Sequence, residues 1–108
     1  MIKCIRHFNE DEKQWEFLLS NFPYHDGNDL IAKMFVEKFG MNIGEKTDGF
    51  WFTIIPLTKQ DVEYKFIWHE DVGNYVCSKD QSETGLNQLE KMLSEVVKEL
   101  NLELKQPK

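Results

Sequence analysis

An alternation of apolar and polar residues, interrupted at Ile67, marks the middle of the chain. In residues 62–70, VEYKFIWHE, the large aromatic side chains share one face of an extended strand and most charged side chains share the other. An almost continuously apolar run, FWFTIIPL at 50–57, precedes this segment, and a shorter run, NYVCSK at 74–79, follows it after a turn. The span 50–79 therefore predicts a three-stranded antiparallel meander.

Other segments have the apolar spacing of amphipathic helices. The first predicted helix runs to about Phe22, with apolar residues at i, i+3, i+4 and i+7, and Asn9 and Glu12 form a capping pattern at its start. The second predicted helix spans 28–39, and the third spans 83–100 with a regular leucine and valine repeat. These patterns predict three helices.

The remaining segments complete the predicted order of elements. Residues 1–8 predict a first strand, 23–28 a turn and 41–49 a loop. The order β-α-α-β-β-β-α predicts an α+β fold in which an antiparallel meander of three to four strands packs against three helices. We expect residues 1–108 to form a single domain, with 101–108 as a fraying tail.

The charge of the chain disfavours several classes of protein. The formal net charge is −6, and Arg6 is the only arginine. Binding to nucleic acid or to an anionic membrane requires lysine and arginine to displace counterions, so neither partner is expected. The chain has no apolar run near the roughly 20 residues of a membrane-spanning helix, and its N-terminus lacks the apolar core of a secretory signal. We therefore expect a cytoplasmic protein. The negative charge is suited to a basic protein as its partner.

The two cysteines, Cys4 and Cys77, have apolar neighbours in predicted strands. Without a signal segment or a regular cysteine spacing, they are expected to be reduced, buried thiols. Pairing between them stays open, since the two strands could be adjacent. No zinc-binding spacing of cysteine and histidine is present, and no cofactor is expected.

The stretch FIWHEDVG at 66–73 contains the strongest candidate for chemistry. His69, Glu70 and Asp71 offer imidazole and carboxylate groups, which are good ligands for divalent metals and good proton carriers. However, consecutive residues of a strand point to opposite faces, so these side chains converge only if the turn redirects them. The simpler interpretation is a strand that ends in a solvent-exposed turn. The alternative is a small metal-binding protein or hydrolytic enzyme that uses this cluster, with Cys77 across the hairpin.

The aromatic side chains of the meander indicate a binding surface. If the helices cover only one face of the sheet, the other face carries Trp51 or its neighbours together with Ile54 and Ile67. Alternatively, the N-terminal helices cover one face and the C-terminal helix covers the other. An exposed aromatic patch surrounded by carboxylates is typical of a protein-binding surface. The predicted partner-binding residues are Trp51, Glu63, Trp68, Glu70, Asp71 and Tyr75.

In its size, acidity and aromatic meander, the chain resembles the small α+β immunity proteins of bacterial toxin systems. The resemblance implies a non-enzymatic inhibitor that neutralises a partner protein by occupying its surface. An inhibitor of a nuclease would gain from acidic groups that compete for the basic, phosphate-binding cleft, because complementary charge speeds association. A homodimer whose sheet pairs with itself is a further alternative.

Overall fold

The structure is a computed structural model that describes residues 1–22 and 27–105. Within these residues it contains seven β-strands and two α-helices. In chain order the elements are β1 (Lys3–Asn9), β2 (Gln14–Ser20), α1 (Gly27–Phe39), β3 (Asn42–Ile43), β4 (Thr47–Asp48), β5 (Phe52–Lys59), β6 (Val62–His69), β7 (Gly73–Ser78) and α2 (Glu83–Lys105).

All seven strands belong to one antiparallel sheet. The strand order is β1-β2-β7-β6-β5-β3, and the short β4 also pairs with β5. The strands β5, β6 and β7 form the predicted meander, which is confirmed. The hairpin of β1 and β2 extends this meander because β2 pairs with β7.

The α+β class is confirmed, but the predicted three- to four-stranded sheet with three helices is wrong. The segment predicted as the first helix is the β1–β2 turn and the strand β2. In β2 the side chains of Trp15, Phe17 and Leu19 alternate onto one face, and Phe17 is fully buried. The apolar face of the predicted helix includes Leu18 but leaves out Phe17, which is the most deeply buried residue of the segment.

The capping pattern at Asn9 is used in a turn instead of a helix. The Asn9 Oδ1 atom accepts hydrogen bonds from the backbone N–H groups of Asp11 and Glu12, at 3.0 and 3.1 Å. An asparagine at a helix start accepts the same kind of bond. Here Lys13 follows with a left-handed φ of 55°, and the chain reverses into β2. These local hydrogen bonds therefore do not distinguish a capped helix from a turn between two strands.

The other two predicted helices are confirmed, with a change at one end. Helix α1 ends before Gly40, whose φ of 68° suits glycine. Helix α2 continues to Lys105, so its predicted end at Leu100 and the predicted fraying of residues 101–105 are wrong, and Leu102 is exposed on the helix. Positions 23–26 of the predicted turn and 106–108 of the predicted tail lie outside the described residues.

Both helices pack against the same face of the sheet. Strand register places Phe17, Val76, Phe66 and Ile55 in one row across β2, β7, β6 and β5. This row belongs to a single apolar cluster with residues of both helices. The buried helical members of that cluster are Ile31, Ala32 and Phe35 from α1, and Leu86, Leu89, Met92, Leu93, Val96, Val97 and Leu100 from α2.

Candidate functional site

Two loops at one end of the meander carry three exposed apolar side chains, one of which, Phe50, is the most exposed large apolar side chain of the described residues. The loop before β5 carries Phe50 and Trp51, whose exposed fractions are 94% and 60%. The loop between β6 and β7 carries Glu70, Asp71 and Val72, and Val72 is 54% exposed. We call these five residues the aromatic tip.

Backbone hydrogen bonds hold the two loops of the aromatic tip together. The N–H of Gly49 donates to the carbonyl of Phe52 at 2.8 Å, which closes the turn that presents Phe50 and Trp51. The N–H of Glu70 donates to the carbonyl of Trp51, also at 2.8 Å. The rings of Phe50 and Trp51 lie 5.8 Å apart, centroid to centroid. The aromatic side chains are thus presented on a fixed turn, next to the carboxylates of the second loop.

The His69 side chain takes part in the structure of the turn. Its Nδ1 atom accepts a hydrogen bond from the N–H of Asp71 at 3.1 Å, and its carbonyl accepts one from Val72 at 3.2 Å. Gly73 then starts β7 with a φ of 91°, a conformation that suits glycine. Within residues 1–22 and 27–105, no group of three or more His, Cys, Asp or Glu side chains is arranged to hold a metal ion. The geometry therefore supports the interpretation of this stretch as a strand end and turn.

The sheet face opposite the helices carries a second apolar feature. Pairing register places five side chains in one row across β1, β2, β7, β6 and β5, and none of them belongs to the core cluster. We call this row the open-face row: Ile5, Leu18, Tyr75, Ile67 and Ile54. Neither helix of the described chain covers it, so of the two arrangements that the sequence left open, the one with helices on a single face is found. On the uncovered face Ile54 is half-buried and Ile67 is buried.

A hollow of about 390 Å³ lies beside the open-face row. Glu16 is buried at its floor and accepts hydrogen bonds from the side-chain amides of Gln14, at 2.9 Å, and Asn9, at 3.3 Å. Burial, reinforced by the charge of Glu16, raises the pKa of the neighbouring Cys77 thiol to about 11. The same two causes raise the pKa of Tyr75 to about 12. Both groups are protonated at neutral pH, so Cys77 has little of the thiolate that a nucleophile needs.

The cysteines are free and far from pairing geometry. Cys4 lies on β1 in register with Leu19 on the helix-covered face, and Cys77 lies on β7 in register with Glu16 on the open face. Strand β2 separates them. Both thiols are therefore free, since β1 and β7 are not adjacent, but the expected burial holds only for Cys77, because Cys4 is partly exposed.

The structure does not bring all six predicted partner-binding residues together. Trp51, Glu70 and Asp71 lie in the aromatic tip. Glu63 and Tyr75 line the open-face hollow. Trp68 is half-buried and pairs with Asn74 on the helix-covered face, so it belongs to a different surface from the other five.

Sequence reasoning did not select Phe50, Val72 or Glu16. The apolar run predicts Phe50 as the first residue of a strand, although Gly49 before it indicates a turn. Val72 lies between charged residues and Gly73 in a segment already assigned to a turn. The burial of Glu16 has no sequence signal, because it depends on β2 being a strand between two others.

Comparison with models of protein families, with curated proteins and with solved structures finds no match in any of the three. Among the described residues, neither helix has the length and apolar character that spanning a membrane would require. The functional argument therefore depends on the surface itself.

Proposed function

We propose that this chain is a cytoplasmic, non-enzymatic binding protein of the inhibitor or immunity type, which uses its aromatic tip to occupy the surface of a basic partner protein. The observation that carries the proposal is the exposure of Phe50 and Trp51 on one hydrogen-bonded turn beside Glu70 and Asp71. This combination matches the chemistry of a protein-binding surface.

The exposed aromatic side chains supply the affinity. Tryptophan and tyrosine are enriched among the few residues that dominate binding energy, and a large apolar side chain gains most when it enters a pocket of the partner. Phe50 and Trp51 are held by the turn and by the Glu70–Trp51 backbone bond, so little backbone freedom is lost on binding. Val72 adds apolar area next to them.

The carboxylates of the tip supply the preference for a basic partner. Glu70 and Asp71 are exposed and adjacent in the chain, and the net charge of −6 has the same sign. Complementary charge raises the association rate constant and disfavours wrong partners, with an effect that decreases as salt is added. A cleft that binds phosphate groups would be a favourable target.

The test is capture of the partner from the native host, followed by measurement on the purified pair. A Phe50→Ala, Trp51→Ala variant should weaken binding by about 2–4 kcal/mol, because these side chains are the expected hot spot. A Leu30→Ala, Ile43→Ala variant is the matched control, since both residues are exposed apolar side chains outside the tip. A Glu70→Lys, Asp71→Lys variant should lower the association rate constant, whereas Glu37→Lys, Glu95→Lys on the helices should not.

The outcomes separate the alternatives. If the partner binds the Phe50→Ala, Trp51→Ala variant as tightly as it binds the Leu30→Ala, Ile43→Ala control, the tip is not the contact surface. If binding is instead lost on Ile54→Glu, the open-face row is the contact surface. If this chain is dimeric in solution and the Phe50→Ala, Trp51→Ala variant is monomeric, the tip serves self-association and not the inhibition of a partner.

A further inference from the structure

The outer edge of the sheet at β1 forms a groove with α2. Its volume is about 530 Å³, within the usual range for ligand pockets. Ile2, Ile5, Val97 and Leu102 contribute apolar lining, and both Ile5 and Leu102 are markedly exposed for large apolar side chains. We call this feature the edge groove. Three strands, β2, β7 and β6, separate β1 from β5, the strand that follows Phe50 and Trp51 of the aromatic tip.

The backbone of β1 has hydrogen-bonding groups directed at the edge groove. The N–H and carbonyl of Ile2 bond to the side-chain amide of Asn101 in α2, at 2.9 and 3.0 Å, so they point away from β2. The carbonyl of Met1 points the other way, to the Asn21 side chain beyond β2. Because the direction alternates along a strand, Cys4 and Arg6 direct their N–H and carbonyl groups outward as Ile2 does. Asn101 thus occupies the position of a partner strand only at Ile2, immediately before β1.

The charges at the edge groove differ in sign from those of the chain as a whole. The charged side chains that line it are Lys3 and Lys98, both basic, in a chain of net charge −6. Strand β1 itself carries Lys3 and Arg6 and no acidic residue, and Arg6 is paired with Glu90 of α2 at 3.0 Å, which leaves Lys3 as its basic side chain without an ion pair among the described residues. A second copy placed in the groove would bring its own Lys3 close to Lys3 and Lys98 of the first, which disfavours a second copy as the occupant.

We infer that the edge groove binds an extended, acidic polypeptide segment, which adds as a strand beside β1 and places alternate apolar side chains between β1 and α2. The free backbone groups of β1 provide the main-chain hydrogen bonds of strand addition. The apolar lining receives every second side chain of the segment, and Lys3 and Lys98 pair with its carboxylates. This inference does not depend on the aromatic tip.

The experiment is a selection of random peptides displayed on phage, first depleted on a Lys3→Glu, Lys98→Glu variant and then selected on the wild type. We expect recovered peptides with alternating apolar and acidic residues. A synthetic copy should bind the variant roughly tenfold or more weakly, as expected for two reversed charge pairs. It should bind a Lys33→Glu, Lys91→Glu control, which has the same net charge, as well as it binds the wild type.

Two further measurements identify the binding mode. Bound peptide should slow hydrogen exchange at the Cys4 and Arg6 amides, which face the groove, and N-methylation of the peptide along one edge should abolish binding. Leu102→Ala, at an exposed position that should not affect folding, should weaken binding without changing stability. The inference would be overturned if the selection yields no peptides or only peptides without acidic residues. It would also be overturned by equal affinity for the charge-reversed variant, by unchanged exchange at these amides, or by a dimer formed through β1.

Discussion

The two faces of the sheet are built from the same strands and have opposite roles. On β5, Ile55 is buried beneath the helices, whereas its neighbour Ile54 lies half-buried on the open face. On β6, Phe66 likewise faces the helices and Ile67 faces the open side, although Ile67 is only 8% exposed. The difference shows that the alternation of a strand decides which side chains stabilise the fold, while the position of the helices decides which remain available for contacts.

The open face is nevertheless not a flat, solvent-covered surface. Glu16, Ile67 and Cys77 are all buried on it without a helix above them. Their neighbours on the adjacent strands provide this burial, together with the hydrogen bonds from Asn9 and Gln14 to Glu16. A partner that bound here would meet a surface that is already largely ordered.

The largest expected effect comes from Phe17, which distinguishes a strand from a helix in the N-terminal segment. Phe17→Ala should lower the free energy of unfolding by about 3–5 kcal/mol, because it leaves a cavity in the core under both helices. Leu18→Ala, on the open face, should cost about 1 kcal/mol. Chemical denaturation measures both values. A larger cost at Leu18 would contradict the hairpin and favour the helical spacing.

The adjacent isoleucines of β5 offer a matched comparison of the two faces. Ile55→Ala should cost about 2–5 kcal/mol, whereas Ile54→Ala should cost about 1 kcal/mol or less, because only the first removes side-chain contacts from the core. The same chemical change is thus made at neighbouring positions. Equal costs, measured by urea denaturation, would mean that the open face is covered by another part of the chain.

The smallest expected effect concerns pH, and it tests how well the open-face hollow excludes water. The pKa of Cys77 rises from 9.0 to about 11 on folding, so between these values the unfolded chain loses a proton that the folded chain keeps. The contribution of this thiol to the free energy of unfolding is therefore fully present below pH 9. It decreases by about 2 kcal/mol as the pH rises to about 11.

A Cys77→Ala variant isolates this contribution. The difference in stability between wild type and variant should shrink between pH 9 and pH 11, as followed by denaturation at each pH. Cys4→Ala is the control on the helix-covered face, where burial also raises the thiol pKa to about 11. A pH-independent difference for Cys77 alone would show that the hollow is open to water.

The sequence by itself determined the elements whose pattern is local. The alternation of 62–70 and the turns around it predicted the meander, and the leucine repeat predicted α2. It also named Trp51, Glu70 and Asp71 among the partner-binding residues, from the pattern of aromatic residues beside carboxylates, but it placed Trp51 within a strand instead of a turn. These signals depend on side chains close in the chain, which one sequence displays directly.

Only the tertiary structure decided the state of residues 14–20, where the spacing of apolar residues fits a strand and a helix almost equally. Pairing with both β1 and β7 makes this segment a strand, and that pairing joins residues far apart in the chain, such as Phe17 and Val76. The same pairing placed Glu16 in the hollow and left β1 at the free edge. The sequence also could not show that Trp68 lies on the helix-covered face. The packing of the whole core decides which face the helices cover, and the residues of β6 alone do not.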